Sequence, residues 1–357
     1  MTPSDQNTQG TTQSNPLNLK GVDFIEYAGP DGGFFETLFQ RFGFKKAASA
    51  HGKNIQLYVQ NDVRFLINSE PDTFASEFSK THGPAICATG FKFENAEKAY
   101  QEALKRGARA YEGGEREKGV SQFRAIYGIG DSLIYFMDEN KVNDFYQQAF
   151  NFDVTKNKNP GVGLLEVDHF TNNVPAGEMQ KWCDFYEKIL GFRETRYFDI
   201  KGKSTGLFSK VMRSPCGTFS VPINEPQDPK SQIQEYLDEY KGSGIQHLAL
   251  ITEDIVHTMD DLKASEVQFL AAPPKSYYEM LHERVPGVSE DLNMLQERAI
   301  LVDGDPEGYL LQIFSKNIIG PIFFEIIQRK NHAGFGNGNF QALFDAIEAD
   351  QKERGYL

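Results

Sequence analysis

The sequence predicts an α+β chain of two domains, each assembled from two strand–helix–strand modules. Three observations carry this. The chain has 357 residues, enough for two hydrophobic cores. Short apolar strand patterns alternate with amphipathic helical patterns along most of its length. The opening of the first half also recurs in the second. GVDFIEYAGPDGGFFETLFQRFGFKK and EVDHFTNNVPAGEMQKWCDFYEKILGFRETR share one order: a strand with Val-Asp, a turn, a helix, then Gly-Phe and a basic residue. Asp23 and Asp168 mark the repeat, 145 residues apart, and Gly43-Phe44-Lys45 matches Gly191-Phe192-Arg193.

Residues 1–18 begin MTPSDQNTQGTTQSNP, polar and without the apolar segment of a secretory signal, and are expected to form a disordered leader. The first domain is placed at 19–153, with a strand over Val22 to Ala28 and a helix over about Gly33 to Phe42. Further on, HGPAICATGFKFENAEKAYQEALKRGARAY matches SGIQHLALITEDIVHTMDDLKASEVQFL of the second half. Each is a strand, an acidic helix start (Glu94-Asn95 or Glu253-Asp254), a helix and another strand. Four modules in two pairs resemble the vicinal-oxygen-chelate architecture, in which paired βαβββ modules form an open half-barrel around a metal. VTKNKNPGVG, residues 154–163, reads as the linker, and 164–357 as the second domain.

Composition excludes several roles. A formal charge of −13 and a pI of about 5.1 give nucleic-acid binding little support. No apolar run approaches the roughly 18–20 residues of a membrane span. Cys87, Cys183 and Cys216 are odd in number and widely spaced, which argues against a disulfide framework or zinc ribbon and fits a reducing cytoplasm.

The stretch GPIFFEIIQRKNHAGFGNGNF, from Gly320 to Phe340, carries the chemistry. In a strand over Ile322 to Gln328, Phe323, Glu325 and Ile327 share one face. A lone ionised carboxylate on that apolar face is costly, so Glu325 must be paired, neutralised or bound to a metal. His169 and His247 sit on similarly apolar strand faces, and the steps from 169 to 247 and from 247 to 325 are both 78 residues. The first half offers Phe24, Cys87 and the run Ile134-Tyr135-Phe136 at these places, so it carries the scaffold without ligands. Each histidine alone reads more readily as a hydrogen-bonded core residue than as a ligand. Together, two imidazoles and a carboxylate on one face of a metal leave about three positions open, as in non-haem Fe(II) oxygenases. Zinc and hydrolysis are the chemical alternative. His51, His82, His257, His282 and His332 are expected to be surface or structural.

VDHFTNNV, FYEKILGFRETRYFDIKG, VPINEP, GIQHLAL, PPKSYYEML, LLQIFSKNIIGPIFFEIIQRK and GFGNGNF together resemble the 4-hydroxyphenylpyruvate dioxygenase family, over nearly all of the chain beyond residue 20. The resemblance implies His169, His247 and Glu325 as Fe(II) ligands, with 4-hydroxyphenylpyruvate and O2 as substrates. It implies oxidative decarboxylation, ring hydroxylation and side-chain migration, giving homogentisate in tyrosine breakdown. Ser209, Asn224 and Gln246 carry over as catalytic residues. Gln232, Gln312, Phe314, Phe323, Phe335, Asn339 and Phe340 carry over as substrate-binding ones. Taken from the residues alone, Ser209, Asn224 and Gln232 read as turn or surface groups, and Phe314 and Phe323 as core. Strict alternation turns Gln246 away from the face of His247, so a bulge is needed for both to reach one cavity. The helix from about Asn339 to Arg354 carries the stripe Phe340, Leu343, Phe344, Ile347. It reads as plain packing against the barrel mouth and as a gate hinged at Gly334, Gly336 and Gly338. A 4-hydroxymandelate synthase, and an aromatic-ligand-binding protein without activity, are the rival readings. Bacterial relatives imply a homo-oligomer, a tetramer or dimer.

Overall fold

The computed structural model describes residues 14–29, 32–113 and 123–357. The first 13 residues of the expected leader lie outside them. Its remainder is folded: Leu17 is buried in the core, and the Asn15 side chain both donates to and accepts from the backbone of Leu19.

Two eight-stranded sheets follow one another along the chain. The first holds β1 (Leu19–Ala28), β2 (Lys45–Ser49), β3 (Ile55–Gln60), β4 (Val63–Asn68), β5 (Ala85–Phe93), β6 (Ala110–Tyr111), β7 (Arg124–Tyr127) and β8 (Leu133–Asp138). The second holds β9 (Leu164–Asn173), β10 (Arg193–Lys201), β11 (Gly206–Arg213), β12 (Ser220–Pro226), β13 (Gly244–Thr252), β14 (Leu301–Asp305), β15 (Gly308–Phe314) and β16 (Phe323–Lys330). Their orders are β2-β3-β4-β1-β5-β8-β7-β6 and β10-β11-β12-β9-β13-β16-β15-β14, the same topology moved along by eight strands. The two-module reading shows in the pairing. β1 and β5 run antiparallel at the centre and each has a parallel outer neighbour, β4 and β8; β9 and β13 repeat this with β12 and β16. Residues 154–163 between the sheets carry neither helix nor strand.

Local chemistry starts the helices where the sequence indicates. Asn95 caps helix Ala96–Lys105 by accepting from the Lys98 amide, and Asp254 caps Ile255–Ala264 by accepting from the His257 amide. Helix Met179–Leu190 stops at Gly191, whose φ of +76° suits a residue without a side chain.

One apolar core runs through both halves. Strand alternation builds it: residues facing away from the second half's concave side meet the first half. Phe324 stands edge-on to Phe42 with ring centroids 5.0 Å apart, and Phe170 lies 6.1 Å from Phe91. Among the described residues no helix is long and apolar enough to cross a membrane.

Candidate metal centre

The same alternation that sends Phe170 and Phe324 into the interface turns their neighbours His169, Thr171, Phe323 and Glu325 to the concave side. Antiparallel pairing of β9 with β13 sets His169 opposite Ala249 and Thr171 opposite His247. Parallel pairing of β13 with β16 sets Ala249 beside Glu325. The small Ala249 between them lets the ligand candidates close over it. His169 Nε2 lies 3.2 Å and His247 Nε2 3.5 Å from the same oxygen, Glu325 Oε2. One ligand atom from each of the three falls within 4.8 Å of the others, and all three residues are buried. Two nitrogens and a carboxylate oxygen converging in a dry site fit a divalent transition metal.

The surroundings aim these atoms. Asp168 Oδ2 accepts from His169 Nδ1 at 2.7 Å, and Gln246 Oε1 accepts from His247 Nδ1 at 3.3 Å. Each bond assigns a proton to Nδ1 and turns Nε2 toward the centre. The Thr171 hydroxyl donates to His247 Nε2 at 2.9 Å and has to turn aside for a cation to bind. Glu325 Oε1 accepts from Gln312 Nε2 at 2.8 Å, Gln312 Oε1 accepts from Asn339 Nδ2 at 2.8 Å, and Asn339 Oδ1 accepts from the Tyr277 hydroxyl at 2.7 Å. That relay passes through Asn339 of the C-terminal helix, Asn337–Glu353, and ends on Tyr277 of the short helix Lys275–Glu279.

Burial opposes charge on both imidazoles. At His169 the carboxylates of Glu325 and Asp168 overcome it and lift the pKa to about 9. At His247 burial and the charge of His169 act together and push it well below the ordinary value. Burial also opposes ionisation of Asp168, but the Arg329 guanidinium, bonded to both its oxygens at 2.7 Å, holds it well below the usual carboxylate range.

A cavity opens over the three donors. Phe335 stands edge-on to the His169 ring at 5.0 Å, Phe340 edge-on to Phe198 at 5.1 Å, and Phe314 and Leu343 complete the apolar wall. Ser209 and Asn224 form the polar side. They are paired across β11 and β12, and Asn224 pairs in turn with Asn173 of β9. Asn224 Nδ2 donates to Asn173 Oδ1 at 3.1 Å. Ser209 Oγ, Asn224 Oδ1 and Asn173 Nδ2 are buried without a protein partner, which is expected where a ligand supplies the missing bonds.

Comparison with known proteins agrees with this architecture. Residues 13–153 match the family model described as "Hydroxyphenylpyruvate dioxygenase, HPPD, N-terminal", and 166–313 match the Glyoxalase/Bleomycin resistance protein/Dioxygenase superfamily. The chain is 44% identical over 351 residues to a 4-hydroxyphenylpyruvate dioxygenase of Pseudomonas aeruginosa, covering 97% of this chain and 98% of that protein. It is 49% identical over 352 residues to the protein MelA of Shewanella colwelliana, covering 97% and 99%. A solved variant of 4-hydroxymandelate synthase from Streptomyces coelicolor superposes with a TM-score of 0.80 at 25% identity, covering 93% of this chain and 99% of that one. This chain belongs to the 4-hydroxyphenylpyruvate dioxygenase family.

Within this family member the structure brings together most of the residues expected from sequence, and corrects several. Ser209, Asn224, Gln312, Phe314, Phe335 and Phe340 line the cavity with the three donors. Ser209 and Asn224 are buried on strands rather than placed in surface turns. Gln232, Gln246 and Phe323 instead line a neighbouring groove. A register shift between Ile245 and His247 marks the expected bulge in β13, and it brings the Gln246 amide behind the His247 ring rather than into the cavity. Phe323 stacks on that ring at 4.8 Å, so it braces the His247 imidazole. Asn339 sits behind Gln312, away from the cavity wall. His332, expected to be surface or structural, is structural: its ring is mostly buried, accepts from the Gly334 amide and lies 3.3 Å from Asp305. Sequence reasoning missed Thr171, Phe198, Asp168 and Arg329. Thr171 shares a face with His169 by period two and was open to discovery. Phe198 is placed only by its pairing with Ser209.

Proposed function

We propose that this chain binds Fe(II) through His169, His247 and Glu325 and converts 4-hydroxyphenylpyruvate and dioxygen to homogentisate and carbon dioxide. The observation that carries the reading is the convergence of three buried donors of this type under an aromatic cavity with unpaired polar atoms on its far side. Fe(II) held by these three residues would supply oxygen activation for a 2-oxo acid substrate. The 2-oxo acid is itself the electron source, so no external reductant is needed.

The chain's own residues do the positioning. Asp168 and Gln246 fix the two imidazole tautomers, and Gln312 fixes the Glu325 carboxylate. Phe335 and Phe340 wall the substrate ring. Ser209 Oγ and Asn224 Oδ1 take up its phenol hydroxyl, which can both donate and accept. Leu343 and Phe340, both on the C-terminal helix, shut bulk water out of the cavity while it is docked. We also propose a cytoplasmic homo-oligomer; light scattering tests the association.

The test is anaerobic loading with Fe(II), addition of 4-hydroxyphenylpyruvate, admission of air and identification of the aromatic product. Homogentisate with oxygen uptake is expected. 4-Hydroxymandelate would reassign the chain to the benzylic reaction, and binding without oxygen uptake would leave only a carrier of aromatic ligands.

A further inference from the structure

Arg329 is 161 positions from Asp168 in sequence and has no place in the reaction described above, yet it joins two parts of the site. Its Nε and Nη2 grip both oxygens of Asp168 at 2.7 Å. Its Nη1 donates to the carbonyls of His332 at 3.0 Å and Gly334 at 2.7 Å. Those carbonyls belong to the turn from which the C-terminal helix departs. The guanidinium also lies 5.7 Å from the centre of the Phe335 ring, the ring that stands edge-on to His169. Two paths therefore run from one metal ligand to one hinge. The first is His169–Asp168–Arg329–turn, through hydrogen bonds. The second is His169–Phe335, through packing.

We propose that Arg329 is a positioning residue that couples His169 to the hinge of the C-terminal helix, so that cation binding and helix closure reinforce each other. This rests on reading the site as a metal centre. A cation on His169 Nε2 makes Nδ1–H a stronger donor to Asp168, which narrows the positions open to both the carboxylate and the fork gripping it. A guanidinium presents its donors in a fixed plane, so fixing the edge toward Asp168 also fixes the edge toward the two hinge carbonyls. A lysine at 329 keeps a charge for Asp168 but has no planar fork to serve both partners. Coupling of this kind is reciprocal: whatever the cation adds to closure, closure adds to cation affinity.

The experiment uses the full chain and Co(II), a cation that is not consumed by oxygen. Co(II) affinity is measured by titration. Deuterium exchange of the amides in residues 335–353 is followed with and without Co(II), in the unaltered protein and in Arg329→Lys and Arg329→Gln. In the unaltered protein Co(II) should slow exchange of the helix by about fivefold or more, the lower end of ordinary coupling. In Arg329→Lys the metal-induced slowing should drop below about twofold, and Co(II) affinity should fall by the same factor that the slowing loses. If Arg329→Gln fails to fold, the lysine variant carries the test. A merely structural arginine would speed exchange equally with and without Co(II), and that result overturns the coupling while leaving the metal site intact. An unaltered protein that binds no Co(II) overturns the site, and the coupling with it.

Discussion

The two halves of the molecule share one topology and differ in a handful of side chains. Sheet register identifies the counterparts directly. Phe24 pairs with Gly90 as His169 pairs with Ala249, and Gly90 pairs with Tyr135 as Ala249 pairs with Glu325. Two residues before Gly90 stands Ala88, which corrects Cys87 as the counterpart of His247. The first half therefore offers Phe24, Ala88 and Tyr135 where the second offers His169, His247 and Glu325. Its cavity is walled by aromatic rings including Phe24, Phe123 and Tyr135. Both halves keep a buried aspartate beside the first position, but the partners differ. Asp23 is closed off by Arg64 at 2.9 Å and by the Tyr146 hydroxyl at 2.7 Å. Asp168 divides itself between Arg329 and the His169 imidazole. A scaffold becomes a metal site when the polar group behind each donor is in place as well as the donor.

Giving the second half the first half's residues tests this with the largest expected effect. His247→Ala should abolish metal retention and lower turnover by more than about a thousandfold, some 4 kcal/mol of barrier. The fold should persist, because the first half stands on the same strands without ligands. Metal analysis, oxygen uptake and a thermal melt check the three claims together. The reverse change should fail for want of support. In the second half Gln312 holds Glu325 from two residues before Phe314, Glu325's cross-strand partner. The partner of Tyr135 is Ala125, and two residues before it stands Phe123, which has no amide to offer. Tyr135→Glu should therefore bury an unpaired charge and cost about 3 kcal/mol or more, read as a lower urea midpoint, with no new metal site.

The two aspartates separate support from stability. Asp168→Asn should weaken metal binding about 10–100-fold, because the His169 tautomer and ring angle lose their anchor. Asp23→Asn should leave metal affinity unchanged and lower stability, because buried Arg64 loses its partner at 2.9 Å and keeps only the exposed Asp62 at 3.8 Å. Equal metal affinity in the two variants would mean that the second-half contacts are structural only.

What could be read from sequence follows from which forces are local. Period-two alternation put His169, His247 and Glu325 on apolar faces, and no tertiary knowledge was needed for that. Helix starts at Asn95 and Asp254 were equally legible, because a cap is settled within four residues. Bulges were not. The shift between Ile245 and His247 moved Gln246 behind the ring, and the counterpart of His247 fell on Ala88 rather than on Cys87. Register depends on how two distant strands settle against each other, and residue pattern alone does not specify a one-residue slip on strands buried on both faces. The role of Arg329 was out of reach for the same reason, since nothing near it in sequence names Asp168 as its partner.

The smallest effect concerns how the second half closes its open side. On the C-terminal helix, Glu348 is buried and accepts from the amides of Lys203, Ser204 and Thr205, at 3.1, 2.9 and 3.0 Å, in the turn between β10 and β11. Burial opposes its ionisation, but those amide donors win and hold its pKa below the ordinary value of 4.5. A carboxyl whose folded value is depressed contributes stability above its unfolded value and loses it as pH falls through the folded one. Its grip on the turn is therefore complete at neutral pH and is lost as the pH falls below 4.5 through the depressed folded value. Glu348→Gln keeps one acceptor and loses the charge, so the helix should open more readily by about 1 kcal/mol, or roughly fivefold in deuterium exchange at pH 7. Against the unaltered protein that difference should shrink as the pH is lowered below 4.5, because protonation makes the natural side chain resemble the variant. No difference between the two proteins at pH 7 would assign the hold of the helix to Phe340, Leu343 and Phe344 packing alone.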